Sequence, residues 1–453
     1  MKKLVSAALM LIATVSLTAQ EKKEIVKTGL NFGPLPAIAY DADKGLQLGA
    51  ILQIFDYGDG HNYPNYDSKT YFEYSHFTKG SNLIQVRHDN KELIRNVRWS
   101  TALRINLDKA FDFYGFNGYG SYYDAGRVAD GKAGNDYLFS PFYRFSRNEF
   151  QFKSDFLGRI TDNFQWEAGV FANYFKLTPI DKDNINKGKK DSQKYPDSMT
   201  TLYEIYHQAG VISDKDYDGG FVSGLRFGLN YDTRDKEGAP SRGIWAEGHM
   251  TLAPKFISET PYYRYSLTWR QYLPLVKNDV LTFAYRLNYE GTLGSSAPFY
   301  VLPYITSMGE KVDFEGMGGY NSVRGIMRTR VVGLDMACWN IELRSRFCHF
   351  TCLNQNIALG LSAFSDGTFA TRGLDLSKLP DSYIDQQSPF IVLKNAQKDT
   401  PHITFGAGFR FIMNENFIVC AEYGTPLTHF QKNSPLYNQD GTGAFYVNLG
   451  YLF

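Results

Sequence analysis

Phe221-Val222-Ser223-Gly224-Leu225-Arg226-Phe227-Gly228-Leu229-Asn230-Tyr231-Asp232 alternates without a break. Phe221, Ser223, Leu225, Phe227, Leu229 and Tyr231 share one face, and Val222, Gly224, Arg226, Gly228, Asn230 and Asp232 share the other. Successive side chains of a strand point to opposite sides, so one face suits lipid and the other a polar lumen. Residues 402–411 repeat the pattern, with Ile403, Phe405, Ala407, Phe409 and Phe411 outward and His402, Thr404, Gly406, Gly408 and Arg410 inward. A soluble sandwich also alternates, but its polar face is the solvent face and its sheets need a second apolar layer.

Loop lengths separate the two readings. Ten strands are expected after residue 160, at 164–176, 221–232, 243–254, 262–272, 280–291, 335–347, 355–367, 402–412, 417–425 and 444–453. The connections 177–220, 292–334, 368–401 and 426–443 are long, 255–261 is modest, and 233–242, 273–279, 348–354 and 413–416 are short. Long and short alternate, as they do when one barrel end faces outward and the other faces the periplasm. Candidates at 45–56, 70–78, 82–89, 96–106, 137–146 and 149–159 bring the total to sixteen, although 107–136 fits the alternation poorly. The expected fold is an all-β, 16-stranded antiparallel transmembrane β-barrel over 45–453 with long extracellular loops.

Met1-Lys2-Lys3 followed by an apolar run to Leu17 has the shape of a signal peptide, expected over 1–20. Residues 21–44, with Pro34-Leu35-Pro36, read as a short periplasmic lead-in. No later apolar run is long enough for a membrane-spanning helix. The 34 Phe, 32 Tyr and 41 Gly in 453 residues fit an outer-membrane barrel, and the net charge of +1 argues against a nucleic-acid partner. Four cysteines are too few for a disulfide scaffold. Cys348 and Cys352 are expected to bracket a turn, as a hairpin disulfide or as free thiols, and no metal site or cofactor is expected. In the last segment Phe445, Val447, Leu449, Tyr451 and Phe453 share the outward face, which places Phe453 at the periplasmic rim as a terminal-strand signal.

The forty-residue connection 292–334 is long enough to expect a function of its own. It carries Ser322-Val323-Arg324-Gly325-Ile326, a cation beside a glycine that permits close backbone approach. Upstream stands Tyr231-Asp232-Thr233-Arg234-Asp235, with Pro240 and Gly243 following it. Downstream come Glu342-Leu343-Arg344, Phe364-Ser365-Asp366-Gly367, Phe405-Gly406-x-Gly408 and Tyr423-Gly424-Thr425-Pro426-Leu427. In this order the motifs resemble those of the BamA/TamA outer-membrane-protein assembly superfamily, also called the bacterial surface antigen family.

The resemblance implies that the sixth extracellular loop folds into the lumen and that Arg324, held by Val323 and Gly325, meets acids on strands twelve and thirteen. Alternation independently puts Glu342 and Asp366 on the lumen side. Asp232, Arg234 and Asp235 are expected to shape a strand turn. Two departures stand out: Ile326 replaces the family's aromatic, and 21–44 is too short for a POTRA domain, so a barrel-only member is expected. The resemblance also implies an outer-membrane location in a Gram-negative bacterium. The implied partners are lipopolysaccharide and phospholipid, client outer-membrane proteins, and periplasmic or lipoprotein subunits.

Enzyme chemistry lacks support. The chain has no Gly-x-Ser-x-Gly elbow, His-Glu-x-x-His or P-loop, and no Ser-His pair with strand-end spacing. Asp214-x-Asp216-x-Asp218-Gly219 opens like a calcium loop, but Leu225 stands where the twelfth-position Glu belongs. Two functions remain. One is a factor for insertion, assembly or translocation of outer-membrane proteins, working through a seam between first and last strands that templates a client strand. The other is a passive pore or structural barrel in an outer-membrane complex.

Overall fold

The computed structural model describes residues 25–41, 45–78, 80–128, 139–187, 194–276, 279–309, 313–384 and 390–453. The expected signal peptide at 1–20 lies outside them. Sixteen long strands form one antiparallel sheet in chain order. The first half comprises β1 Leu30–Asp41, β2 Gly45–Asp56, β3 Ser68–Phe77, β4 Asn82–Ile94, β5 Val97–Asp112, β6 Arg144–Arg159, β7 Phe164–Thr178 and β8 Gly219–Asp232. The second half comprises β9 Gly243–Ala253, β10 Tyr262–Val276, β11 Leu281–Leu293, β12 Asp335–Cys352, β13 Gln355–Arg372, β14 His402–Met413, β15 Phe417–Pro426 and β16 Ala444–Leu449. The sheet curls into a transmembrane barrel, so that β1 returns to the far edge. A Cβ on Gly33 of β1 would stand 3.2 Å from the Phe417 ring of β15.

Faces follow the alternation. On β8, Leu225, Phe227, Leu229 and Tyr231 are exposed toward lipid while Val222, Arg226 and Asn230 are buried inside. On β14, Phe405 and Phe409 are exposed and His402, Thr404 and Arg410 are buried.

Three expectations are corrected. The lead-in contains a strand: β1 pairs with β2 from Leu30↔Asp56 to Asp41↔Gly45. Its prolines disguise it, since proline inside a strand is tolerated only at an edge, which β1 is. The separate strand at 137–146 does not form. Residues 140–143 are a 3-10 turn leading into a continuous β6, so the connection 113–143 is one long outer loop set between the short turns 95–96 and 160–163. The total of sixteen stands because one strand is gained and one lost. Finally, Cys348 and Cys352 do not bracket the turn: both lie on β12, the turn is only Leu353-Asn354, and of the two expected states they are free thiols. Four strand residues span roughly 13 Å, well beyond disulfide reach.

Both mouths are covered. On the outer side, Phe113, Phe116, Phe142, Tyr203, Tyr206 and Phe299 belong to one buried aromatic cluster drawn from several loops. The helix Leu202–Gln208 enters this cap behind a capping box of Thr201 and Glu204. The calcium-like segment is a short helix, Asp214–Tyr217, capped by Ser213, with Asp214 bonded to His207.

On the periplasmic side the turn 233–242 crosses the opening. Glu237 pairs with Lys91 at 2.7 Å and Arg98 at 3.4 Å, and Lys236 with Asp279 at 3.2 Å and Glu415 at 3.3 Å. Burial pushes the Glu237 carboxyl up, but Arg98, Lys91 and Arg234 outweigh it and hold it well below the carboxylate range. A depressed carboxyl stabilises the fold above its unfolded value, and that stability is lost as pH falls toward the folded one. Glu237→Gln should therefore open the turn to protease at neutral pH. The difference from wild type should shrink only in strong acid, which limited proteolysis across a pH series will measure.

Candidate functional site: the loop anchor and the seam

Loop six, residues 294–334, leaves β11 and turns back into the lumen. Bridges Met317↔Val331 and Gly319↔Val323 close its tip. Val323 and Ile326 pack with Ile305, Met317, Val331, Met336 and Cys338 in a buried apolar cluster. Ile326 thus fills buried apolar volume behind the tip. Gly325 has φ +97°, and a Cβ there would lie 2.6 Å from the Gly424 carbonyl carbon and the Thr425 nitrogen of β15. Gly325→Ala should lift the tip off β15, since the left-handed conformation alone costs an L-residue about 1–2 kcal/mol. Protease cleavage within loop six should appear in that variant and be absent from wild type.

Arg324 is fully buried and held on every side. Its Nε donates to Asp366 Oδ2 at 2.8 Å and its Nη2 to Asp366 Oδ1 at 2.9 Å, the two-pronged geometry of a guanidinium on a carboxylate. Its main-chain N–H donates to the same carboxylate at 3.0 Å. Nη1 lies 2.5 Å from Glu342 and 2.9 Å from Glu422, and the Phe364 ring stacks at 3.6 Å. The structure thus brings together Val323, Arg324, Gly325, Glu342 and Asp366, and adds three residues. Glu422 of β15 is a third acid. Arg410 bridges Glu342 at 3.2 Å and Glu422 at 2.8 Å, and Arg344 donates to Glu342 at 2.5 Å. Three buried arginines and three buried carboxylates balance inside the wall. The inward glycines make the room: a Cβ on Gly408 would strike Glu422, and one on Gly406 would strike Phe364. Glu422 was findable, because it stands one residue before the Tyr423-Gly424 motif.

The turn motif lies apart from the anchor. Arg234 clasps Asp232 with Nε at 2.9 Å and Nη2 at 2.6 Å and stacks on Trp245 at 3.8 Å. Asp235 accepts from Ser241 N at 2.9 Å and Oγ at 2.6 Å. These bonds shape the turn over the periplasmic mouth. Glu167, Glu247 and His249 come close enough to ligate an ion. Their charges are met within the protein, however, by the 2.5 Å His249–Glu167 bond and by the Glu247–Arg270 pair.

Tyr451 and Phe453 are corrected. β16 stops at Leu449, Gly450 adopts φ +84°, and the following residues turn inward. Phe453 is buried with Leu452 against Tyr272 and Ala284, and its main-chain oxygen accepts from Arg344 Nη2 at 3.0 Å. The alternation that put Phe453 on the outward rim breaks at a glycine free to reverse the chain.

No ladder joins β1 to β16 among the described residues. Beside this seam, a cavity of about 380 Å³ is lined by Leu35 and Ile38 from one edge and Val447 and Asn448 from the other. A second cavity, about 220 Å³, lies behind the periplasmic turn and is lined by Glu167, Arg234, Tyr451 and Phe453.

The sequence profile of the Omp85 superfamily domain matches residues 98–453. Among solved structures, a BamA from Haemophilus ducreyi lacking POTRA domains 1–3 aligns at TM-score 0.51 and 14% identity, covering 94% of this chain and 70% of that one. CdiB from Escherichia coli aligns at TM-score 0.48 and 9% identity, covering 90% of this chain and 60% of that one. No curated protein matches the chain.

Proposed function

The chain belongs to the Omp85 superfamily, and from that premise we propose that it inserts, assembles or translocates outer-membrane proteins in a Gram-negative outer membrane, with partner subunits. The observation that carries this reading is the unladdered seam in a barrel whose two mouths are both covered. A passive pore needs an open lumen. Here aromatic loops roof one end, a charged turn crosses the other, and loop six is pinned between them. The remaining route for another polypeptide is sideways, along strand edges, where main-chain hydrogen bonds supply affinity without bond chemistry. The membrane's phospholipid and lipopolysaccharide surround the apolar outer face.

The test is reconstitution of the purified barrel into liposomes, followed by addition of an unfolded outer-membrane β-barrel protein. Faster insertion of the client, with photo-crosslinks from β16 to client strands, is the expected result. Unchanged insertion together with purification of the chain free of other proteins would leave a structural barrel as the better account.

A further inference from the structure

Among the described residues the seam has no ladder, yet its edges stay together. At the edge of β1, Gly29 exchanges main-chain hydrogen bonds with the β2 side, donating to Gly58 O at 2.8 Å and accepting from Tyr57 N at 3.0 Å. Main-chain groups of a strand alternate sides. Odd residues of β1 therefore bond β2, and the nitrogens of Pro34 and Pro36 face the seam. Neither nitrogen carries a proton, so the middle of this edge lacks two donors that a ladder to β16 would require.

At the periplasmic end, the segment before β1 and the turn 57–67 reach past β16 to the turns flanking β13 and β15. Asn356 donates to Ile25 O at 2.9 Å and accepts from Ile25 N at 3.1 Å, imitating a strand partner. It also donates to Tyr63 Oη at 3.3 Å. Lys27 donates to Asn354 O, and Asn416 donates to Pro64 O and to Tyr57 Oη, the last at 3.1 Å. Phe55, Tyr57 and Tyr66 form a small buried cluster that stiffens this turn.

We propose that this barrel is clasped rather than zipped: Asn356 and Asn416, gripping Ile25 and the turn residues Tyr57, Tyr63 and Pro64, hold shut a seam whose own edge is blunted by Pro34 and Pro36. The inference concerns closure of the barrel and stands whether or not the chain acts on clients.

Spin labels on cysteines introduced at the lipid-facing positions Phe32 and Val447 will test it by electron–electron distance measurement. The full chain in nanodiscs, with Cys348→Ser and Cys352→Ser, serves as the reference. In Asn356→Ala/Asn416→Ala the distance should lengthen by about one strand spacing, ~5 Å, or more. Loop six should stay protease-resistant, which shows that the barrel is folded. Asn356→Asp, which keeps the acceptor and loses the donors, replaces the double variant if that does not fold, and should widen the distribution. Adding Pro34→Val/Pro36→Val to the clasp-free chain restores both donors and should shorten the distance again. A clasp-free barrel with the wild-type distance overturns the clasp, and a distance unmoved by the valines overturns the role of the prolines.

Discussion

Arg324→Ala will release loop six from the lumen wall and lower barrel stability by about 3–5 kcal/mol, the usual cost of removing one partner from a buried ion pair. Three carboxylates face Arg324, Arg344 and Arg410, and removing Arg324 leaves that balance one negative charge in excess. Asp366 suffers most, since it loses both prongs of the guanidinium. Arg324→Lys will do less harm but will not restore function of the fork, because an ammonium is a point charge without two parallel donors. Asp366→Asn removes the excess charge, so the double variant Arg324→Ala/Asp366→Asn will be more stable than the sum of its single changes predicts. Thermal shift from the folded to the unfolded gel form, with protease cutting of loop six, measures all four proteins. An Arg324→Ala barrel that melts with wild type and keeps its loop protected would show that the network closes without the arginine.

How much of this was legible depends on the range over which each signal acts. Residues 221–232 and 402–411 declare their faces because a strand's period of two is local and one side must meet lipid. Placing Glu342 and Asp366 inward needed nothing more. Arg324 is different: nothing near it in the chain says that it turns inward, and only the order of motifs along the chain suggested it. Glu422 stands beside the Tyr423-Gly424 motif, but its partners Arg324 and Arg410 come from other segments, so nothing local marks it as part of the anchor. Pro34 and Pro36 hid β1 because proline argues against a central strand, and an edge inside a closed barrel is not foreseen from the residues. Asn354 and Asn416 are ordinary turn residues in sequence, and Asn356 is an ordinary residue at the start of a strand. Their grip on residues more than three hundred positions away is a property of the fold alone.

Phe453→Ala separates the two readings of the chain's last aromatic. As a terminal signal on the outward rim, Phe453 would act during delivery and matter little once the barrel had formed. The structure instead buries it against Tyr272, Ala284 and Leu452, with the Arg344 guanidinium 4.5 Å from its ring centre. Truncating a buried phenylalanine costs about 3–5 kcal/mol. The loss will not stay local, because Arg344 also holds Glu342, which holds Arg324. Phe453→Ala should therefore lower the melting point of the assembled barrel and make loop six more sensitive to protease. Phe453→Leu should recover most of both, because it refills the space. Gly450→Val should resemble Phe453→Ala without touching the aromatic, since a φ of +84° is closed to a branched side chain and the tail could no longer turn inward. Reduced outer-membrane levels with an unchanged melting point would return Phe453 to the rim as a delivery signal. A lowered melting point with normal levels would instead make the inward tail a structural link between the seam and the loop anchor.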